Sequence, residues 1–223
     1  MGRYQEALDY QQQALIHFRE LGDRHGQASS LTNLGGVYWR LGRYQEALDQ
    51  QQQAVTLCGE LGDRHGQAAS LNNLGIVYER LGRYPDAADH HQQALIHFRE
   101  LGDRHGQAFS LTNLGVVFER LGRYQEALDQ QQQALIHFRE LGDRHGQAEV
   151  LRDLGDALLG LGRHQEAREA WQEALEFCEA LQIPEADEVR GRLAALSSDE
   201  PDEPAPGGGS VLGASGADVV SSG

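Results

Sequence analysis

Positive charge is scarce in this chain. Nineteen Lys and Arg stand against 34 Asp and Glu in 223 residues, for a formal charge of −15. Proteins that grip the phosphates of nucleic acid need a basic face, so direct nucleic-acid binding is excluded as the main activity. Anionic membrane surfaces are disfavoured for the same reason. Two cysteines are too few for a disulfide framework. Aromatic residues make up only 7% of the chain and apolar residues 39%, which suits a packed helical core better than one large globule. No window is long and apolar enough to span a bilayer. The opening "MGRYQEALDY" lacks the apolar centre of a signal peptide. Together these absences predict a cytoplasmic protein.

What the chain does have is repetition. "ELGDRHGQA" occurs at Glu20–Ala28, Glu60–Ala68, Glu100–Ala108 and Glu140–Ala148. "LGR" recurs at Leu41, Leu81, Leu121 and Leu161 in the same register. The period is forty residues with no insertion, as in a stacked array of structural units. Cys58 and Cys178 fall at equivalent positions three units apart, where other units carry Phe18, Phe98 and Phe138. That separation is far beyond disulfide reach, so both read as small buried apolar residues in a reducing compartment.

Each unit reads as two helices. Ala28, Leu31, Leu34, Val37, Tyr38 and Leu41 recur at three- and four-residue steps, as do Tyr44, Ala47, Leu48, Ala54, Val55 and Cys58. Gly42 and Gly62 suit left-handed helix stops, and Asp63 an N-cap. "ELGDRHGQA" is thus a hinge: a helix end, a glycine stop, an aspartate cap and a helix start. Gly35, Gly75, Gly115 and Gly155 sit mid-helix at a cost of about 1 kcal/mol each, so a close helix crossing is expected there. Ala47, Ala87, Ala127 and Ala167 are the small residues expected to face them.

The predicted organisation follows. Residues 1–22 form the second helix of a truncated first unit. Residues 23–182 form four units, with helix pairs at 24–61, 64–101, 104–141 and 144–181. Residues 183–197 form a closing helix that starts near Pro184 and covers the last unit with Val189, Leu193 and Leu196. Residues 198–223, "SDEPDEPAPGGGSVLGASGADVVSSG", form an acidic Pro/Gly/Ser-rich disordered tail. The truncated first unit leaves Ala7, Leu8, Ala14 and Leu15 partly uncovered. Either an upstream segment completes it, or the face pairs with another molecule and makes a homo-oligomer.

The residues Leu71, Leu74, Gly75, Tyr78, Gly82, Tyr84, Ala87 and Ala94 of "ASLNNLGIVYERLGRYPDAADHHQQAL" resemble the tetratricopeptide repeat (TPR), and the pattern recurs in register four times over roughly residues 3–181. The resemblance implies an all-α, right-handed α-solenoid of stacked antiparallel helix pairs. The forty-residue unit with "LGDRHG" in place of a terminal proline is similar to the longer repeats of LGN/Pins-type scaffolds and of many bacterial regulators. The family's aromatic residue four places after the first Ala of the second helix is kept only at Trp171. Gln51, His91 and Gln131 replace it, so packing there is expected to be more polar.

No chemistry of bond-making is legible. Every Glu, Asp and His sits in a repeated context, and no position stands out as nucleophile, base or oxyanion hole. His25, His65, His105 and His145 recur one per unit, too far apart to share an ion. No phosphate-binding "GxxxxGK[ST]" is present. No catalytic residue, cofactor or metal is therefore predicted. What remains is the concave face that first helices line in TPR arrays, which implies a protein or peptide ligand. Asn33, Asn73 and Asn113, with Asn72 beside them, can hold an extended backbone through donor and acceptor alike. Arg40, Arg80 and Arg120 can grip carboxylates. In near-identical units any residue forms such a row, so solvated surface is an equal reading of these positions. Two positions vary between units: Ser29, Ala69, Phe109 and Glu149 at one, Gly36, Ile76, Val116 and Asp156 at the other. Phe109, Ile76 and Val116 are expected to form a central apolar patch.

The leading functional expectation is a non-catalytic scaffold that holds a peptide or protein segment in that groove. Two alternatives stay open: a C-terminal sensor arm of a larger bacterial signalling ATPase or transcription regulator, and a self-assembling repeat module. The acidic tail is expected to compete for the groove through Asp199, Glu200, Asp202 and Glu203.

Overall fold

The computed structural model describes residues 2–199, and among them it contains ten helices and no strand. These are α1 (Gly2–Glu20), α2 (Arg24–Arg40), α3 (Tyr44–Leu61), α4 (Arg64–Arg80), α5 (Tyr84–Leu101), α6 (Arg104–Arg120), α7 (Tyr124–Leu141), α8 (Arg144–Gly160), α9 (His164–Leu181) and α10 (Glu185–Asp199). The fold is an α-solenoid in which each helix packs chiefly on its chain neighbours. The acidic segment from residue 200 onward lies outside the described residues.

The hinges explain where α3, α5 and α7 end and where α2, α4, α6 and α8 begin. Asp23, Asp63, Asp103 and Asp143 cap α2, α4, α6 and α8, each side chain accepting from the backbone N–H three residues on at 2.9–3.0 Å. Such a cap is worth about 1 kcal/mol. Gly62, Gly102 and Gly142 end α3, α5 and α7 at φ 68–69°, in the left-handed region. Side chains tie the hinge down as well. Gln27, Gln107 and Gln147 donate to the carbonyls of Phe18, Phe98 and Phe138 at 3.2–3.3 Å. Cys58 and Cys178 are buried free thiols, and burial pushes both up from the usual thiol range.

The mid-helix glycines do not face the alanines. Ala47, Ala87, Ala127 and Ala167 are buried, but a Cβ on Gly35, Gly75, Gly115 or Gly155 would run into Gln51, His91, Gln131 or Trp171 at 2.3–2.6 Å. The glycine makes room for a large side chain of the paired helix, because that side chain reaches across to hydrogen-bond. Gln51 Nε2, Gln131 Nε2 and Trp171 Nε1 donate to the carbonyls of Thr32, Thr112 and Arg152 at 3.0–3.3 Å. Glutamine and tryptophan are interchangeable here because each places an N–H at the right reach.

Both ends of the array differ from its middle. α1 has the sequence of residues 122–140 except for Tyr10 in place of Gln130. Ala7, Gln11 and Ala14 are half-exposed, whereas their α7 counterparts Ala127, Gln131 and Ala134 are buried by α6; Leu8 and Leu15, expected to be partly uncovered, are instead buried in the core. At the other end α10 packs on α9 through Ala186, Val189 and Leu196.

Candidate functional site

α2 touches α4, α4 touches α6 and α6 touches α8, with no comparable contact between successive second helices. The first helices therefore crowd together and line the inner side of the curve. α10 closes one end of that side: Arg192 forks onto both carboxylate oxygens of Asp156 at 2.7 and 2.9 Å and also donates to Glu188.

Asn33 is exposed on the inner face, and Asn73 and Asn113 are half-buried beside it. The row stops there. Its fourth member is Asp153, buried beneath Arg152, which donates to its Oδ1 through both Nε and a terminal nitrogen. Burial pushes the Asp153 carboxyl up to about 7, outweighing the attraction of Arg152. Asn72 is engaged inside the wall rather than presented to the groove. Its Oδ1 accepts from His91 Nδ1 at 2.8 Å, Asn113 Nδ2 at 3.3 Å and Ser110 Oγ at 3.4 Å.

Arg40, Arg80 and Arg120 are exposed on the last turns of α2, α4 and α6. None has an ion-pair partner within 4 Å among the described residues. Glu79 sits near Arg80 and Arg120, and burial raises its carboxyl from the ordinary value. Where α4 and α6 carry Glu79 and Glu119, α2 carries Trp39. The Arg40 and Arg80 guanidinium carbons each lie 5.3 Å from the centre of the Trp39 ring, within cation–π range.

The expected patch of Ile76, Val116 and Phe109 does not form as a unit. Phe109 packs edge-on against Phe138 of α7, ring centres 5.4 Å apart, and against His105 at 4.6 Å. Position 109 therefore faces the neighbouring second helix. Ile76 lines a cavity of about 280 Å³ with Gly36, Trp39, Arg40, Gln51 and Asn73; Val116 is half-buried on α6 and is not part of that lining. Gly36 and Trp39 lie on the face expected to be the groove, though neither was assigned to the ligand, and Gln51 was expected only to pack between helices. The signal for them was the varying position 36/76/116/156, where only α2 lacks a side chain.

Asp153 supplies a testable consequence. Its folded-state pKa lies above its unfolded value, so the stability it contributes is full below about pH 4 and is lost as pH rises through 7. Asp153→Asn is expected to match the parent near pH 4 and to exceed it near pH 8. The gap is on the order of 1 kcal/mol, because Arg152 then loses its partner. Urea unfolding at the two pH values decides, and equal gaps at both would contradict the assignment.

No group of three His, Cys, Asp or Glu among the described residues is arranged to hold a metal ion. No described helix is long and apolar enough to cross a membrane. Several solved structures share this geometry. BtubC (BKLC) from P. vanneervenii aligns at TM-score 0.69 and 17% identity over 95% of this chain and 99% of its own. Aspartyl phosphate phosphatase F from Bacillus subtilis aligns at TM-score 0.76 and 16% identity over 88% of this chain and 53% of its own. A signal transduction ATPase with numerous domains and a tetratricopeptide repeat sensor, from Pyrococcus horikoshii, aligns at 0.74 and 16% over 85% and 30%. The chain thus spans about half of the phosphatase and less than a third of the ATPase. No curated protein matches the sequence. The tetratricopeptide repeat family model matches residues 1–60, 28–100, 66–136 and 106–180 in overlapping registers. With the capped helix pairs and the inner row of first helices, this shows that the chain belongs to the tetratricopeptide repeat family.

Proposed function

We propose that this protein is a non-catalytic, cytoplasmic interaction scaffold that holds an extended peptide or protein segment along the inner face of α2, α4 and α6. One observation carries the reading. Asn33, Asn73 and Asn113 lie in a row beside arginines that have no carboxylate within ion-pair distance among the described residues, while the C-terminal end is closed by the Arg192–Asp156 pair. A row of amides bonds a backbone without regard to its sequence, and unpaired guanidinium groups add preference for carboxylates. The forty-residue unit with "LGDRHG" supports a place among the longer repeats of LGN/Pins-type scaffolds or bacterial regulators. A sensor arm within a larger regulator is the second reading. It is favoured by the likeness to the Pyrococcus horikoshii ATPase, whose repeats are described as a sensor.

The test is capture from lysate by the parent and by Asn73→Ala/Arg80→Ala/Asn113→Ala, with circular dichroism confirming that both are helical. A partner kept by the parent and lost by the variant is the expected result. Identical capture by both would end the groove reading and turn attention to the half-exposed face of α1, the surface a self-assembling module would use.

A further inference from the structure

On the outer side of the array α7 and α9 stand apart, with α8 between them as a floor. The last unit differs from the others here. Tyr38, Tyr78 and Phe118 occupy the position of Leu158, each beneath an arginine whose guanidinium carbon lies 4.4–4.7 Å from the ring centre. Gln50, His90 and Gln130 occupy the position of Ala170, and His90 stacks on Tyr78 at 5.0 Å. Leu158 and Ala170 are both smaller than what they replace. Around them lies a cleft of about 500 Å³, floored by Leu151, Leu154 and Leu158.

One wall of the cleft is apolar and open. Ile136 of α7 is 56% exposed there, and Leu154 and Ala170 keep 9% and 7% of their surface at the floor. The other wall carries carboxylates. Glu166, Glu169 and Glu173 follow one edge of α9 at three- and four-residue steps. Glu173 stands where other units have Gln53, Gln93 and Gln133. Arg163 holds Glu166, and Arg139 reaches Glu173 across the cleft at 2.8 Å. Both pairs are half-exposed, and such pairs exchange at little cost.

The floor and the edge together select the occupant. An extended chain laid over leucines would leave its backbone N–H and C=O groups without partners. A helix bonds its own backbone and presents apolar residues at steps of three and four, the spacing of Leu151, Leu154 and Leu158 themselves. The carboxylate edge, in a chain of net charge −15, favours basic residues along the flank of that helix. We infer that the outer cleft between α7 and α9 docks an amphipathic helix of a partner protein, with its leucine-like residues seated on α8 and its lysines or arginines paired with Glu169 and Glu173. The site lies on the other side of the array from the asparagine row and does not depend on it.

The probe is a fluorescein-labelled peptide of eighteen residues, the length of α7 and α9. It is built from leucine, alanine and lysine, with the leucines on one helical face. Anisotropy compares it with a peptide of the same composition whose leucines are scattered around the helix. The parent is expected to bind the amphipathic peptide about tenfold more tightly, the effect of seating one leucine-sized side chain. Leu158→Phe/Ala170→Gln installs the pair that α6 and α7 carry as Phe118 and Gln130. It fills the cleft with residues the fold already accommodates, and should erase the preference. Ile136→Thr, at an exposed position where α3 carries Thr56, should reduce the preference without touching the core. Glu173→Gln should weaken both peptides by about threefold and leave the preference intact. Asn73→Ala/Arg80→Ala/Asn113→Ala should bind the amphipathic peptide as the parent does.

Equal affinity of the parent for the two peptides would overturn the cleft, since charge alone would then account for binding. A preference that survives both Leu158→Phe/Ala170→Gln and Ile136→Thr would overturn it too, as would no binding to the parent at high micromolar concentration. Loss of binding in Asn73→Ala/Arg80→Ala/Asn113→Ala would put the peptide in the inner groove, which overturns the cleft and supports the groove.

Discussion

Replacing Gly75 with leucine is expected to break the solenoid at its centre. A Cβ at this position would lie 2.6 Å from two ring atoms of His91. His91 is fully buried and cannot swing aside. Overpacking of this kind costs 1–3 kcal/mol or more, and in a repeat array the lost interface uncouples the units on either side. The expected readout is a fall in Tm of roughly 10 °C, at 2–4 °C per kcal/mol for a chain of this size, with loss of a single cooperative transition. A sharper version uses alanine. Gly75→Ala gains about 1 kcal/mol of helix propensity, yet should destabilise the parent and stabilise a His91→Ala background. Gly36→Ala, where the Cβ meets open space, should be stabilising in any background. If Gly75→Ala stabilised the parent, the crossing would be looser than described.

The second large effect is acid sensitivity at the same crossing. Burial drives the His91 imidazole down to about 3, with a smaller push from His90. Its Nδ1 faces Asn72 Oδ1, an acceptor only, so the neutral ring donates there, and Nε2 is left buried without a partner. The sign follows directly. The unfolded chain takes up the proton near pH 6.5 and the folded chain only near 3, so His91 contributes its full stability above pH 6.5 and loses it progressively below. At pH 5 the loss is about 2 kcal/mol, from ~1.4 kcal/mol for each unit below the unfolded pKa. His91→Gln installs the side chain found at positions 51 and 131, which needs no proton change. Urea melts at pH 7.5 and 5.0 should show a pH penalty in the parent that shrinks by about that amount in the variant. An equal penalty in both would mean that His91 is not its source.

How much of this was legible before the structure depends on how local each feature is. The hinge could be read because a cap, a left-handed glycine and a period shift all lie within "ELGDRHGQA", and each acts on its own backbone. The family, too, could be read from residues in register. Pairing Gly75 with Ala87 was an error of a different kind. Both are small and both lie at the crossing, but the helices are set so that the side chain four residues later, His91, passes over the glycine. Periodicity along one helix carries no information about that offset. Phe109 failed similarly, since its spacing from Val116 puts both on one stripe of α6 and cannot tell that Phe138 of α7 reaches its end of it. Asn72 looked free because its partners His91, Ser110 and Asn113 lie on α5 and α6. The Gly36 cavity was visible only as a difference among units, and its lining draws on Gln51 and Trp39, which come from two helices.

The near-identity of α1 and α7 has a kinetic consequence. α6 buries its apolar stripe against α7 in the native array, but α1 offers the same side chains at every position except Tyr10. A refolding chain, or two chains at high concentration, can therefore dock α6 onto the wrong copy and form a local contact as good as the native one. Only the connectivity around it reveals the error. Such molecules must undock before they can finish, so refolding should split into a fast route and a slow, concentration-dependent one in which neither proline nor disulfide chemistry takes part.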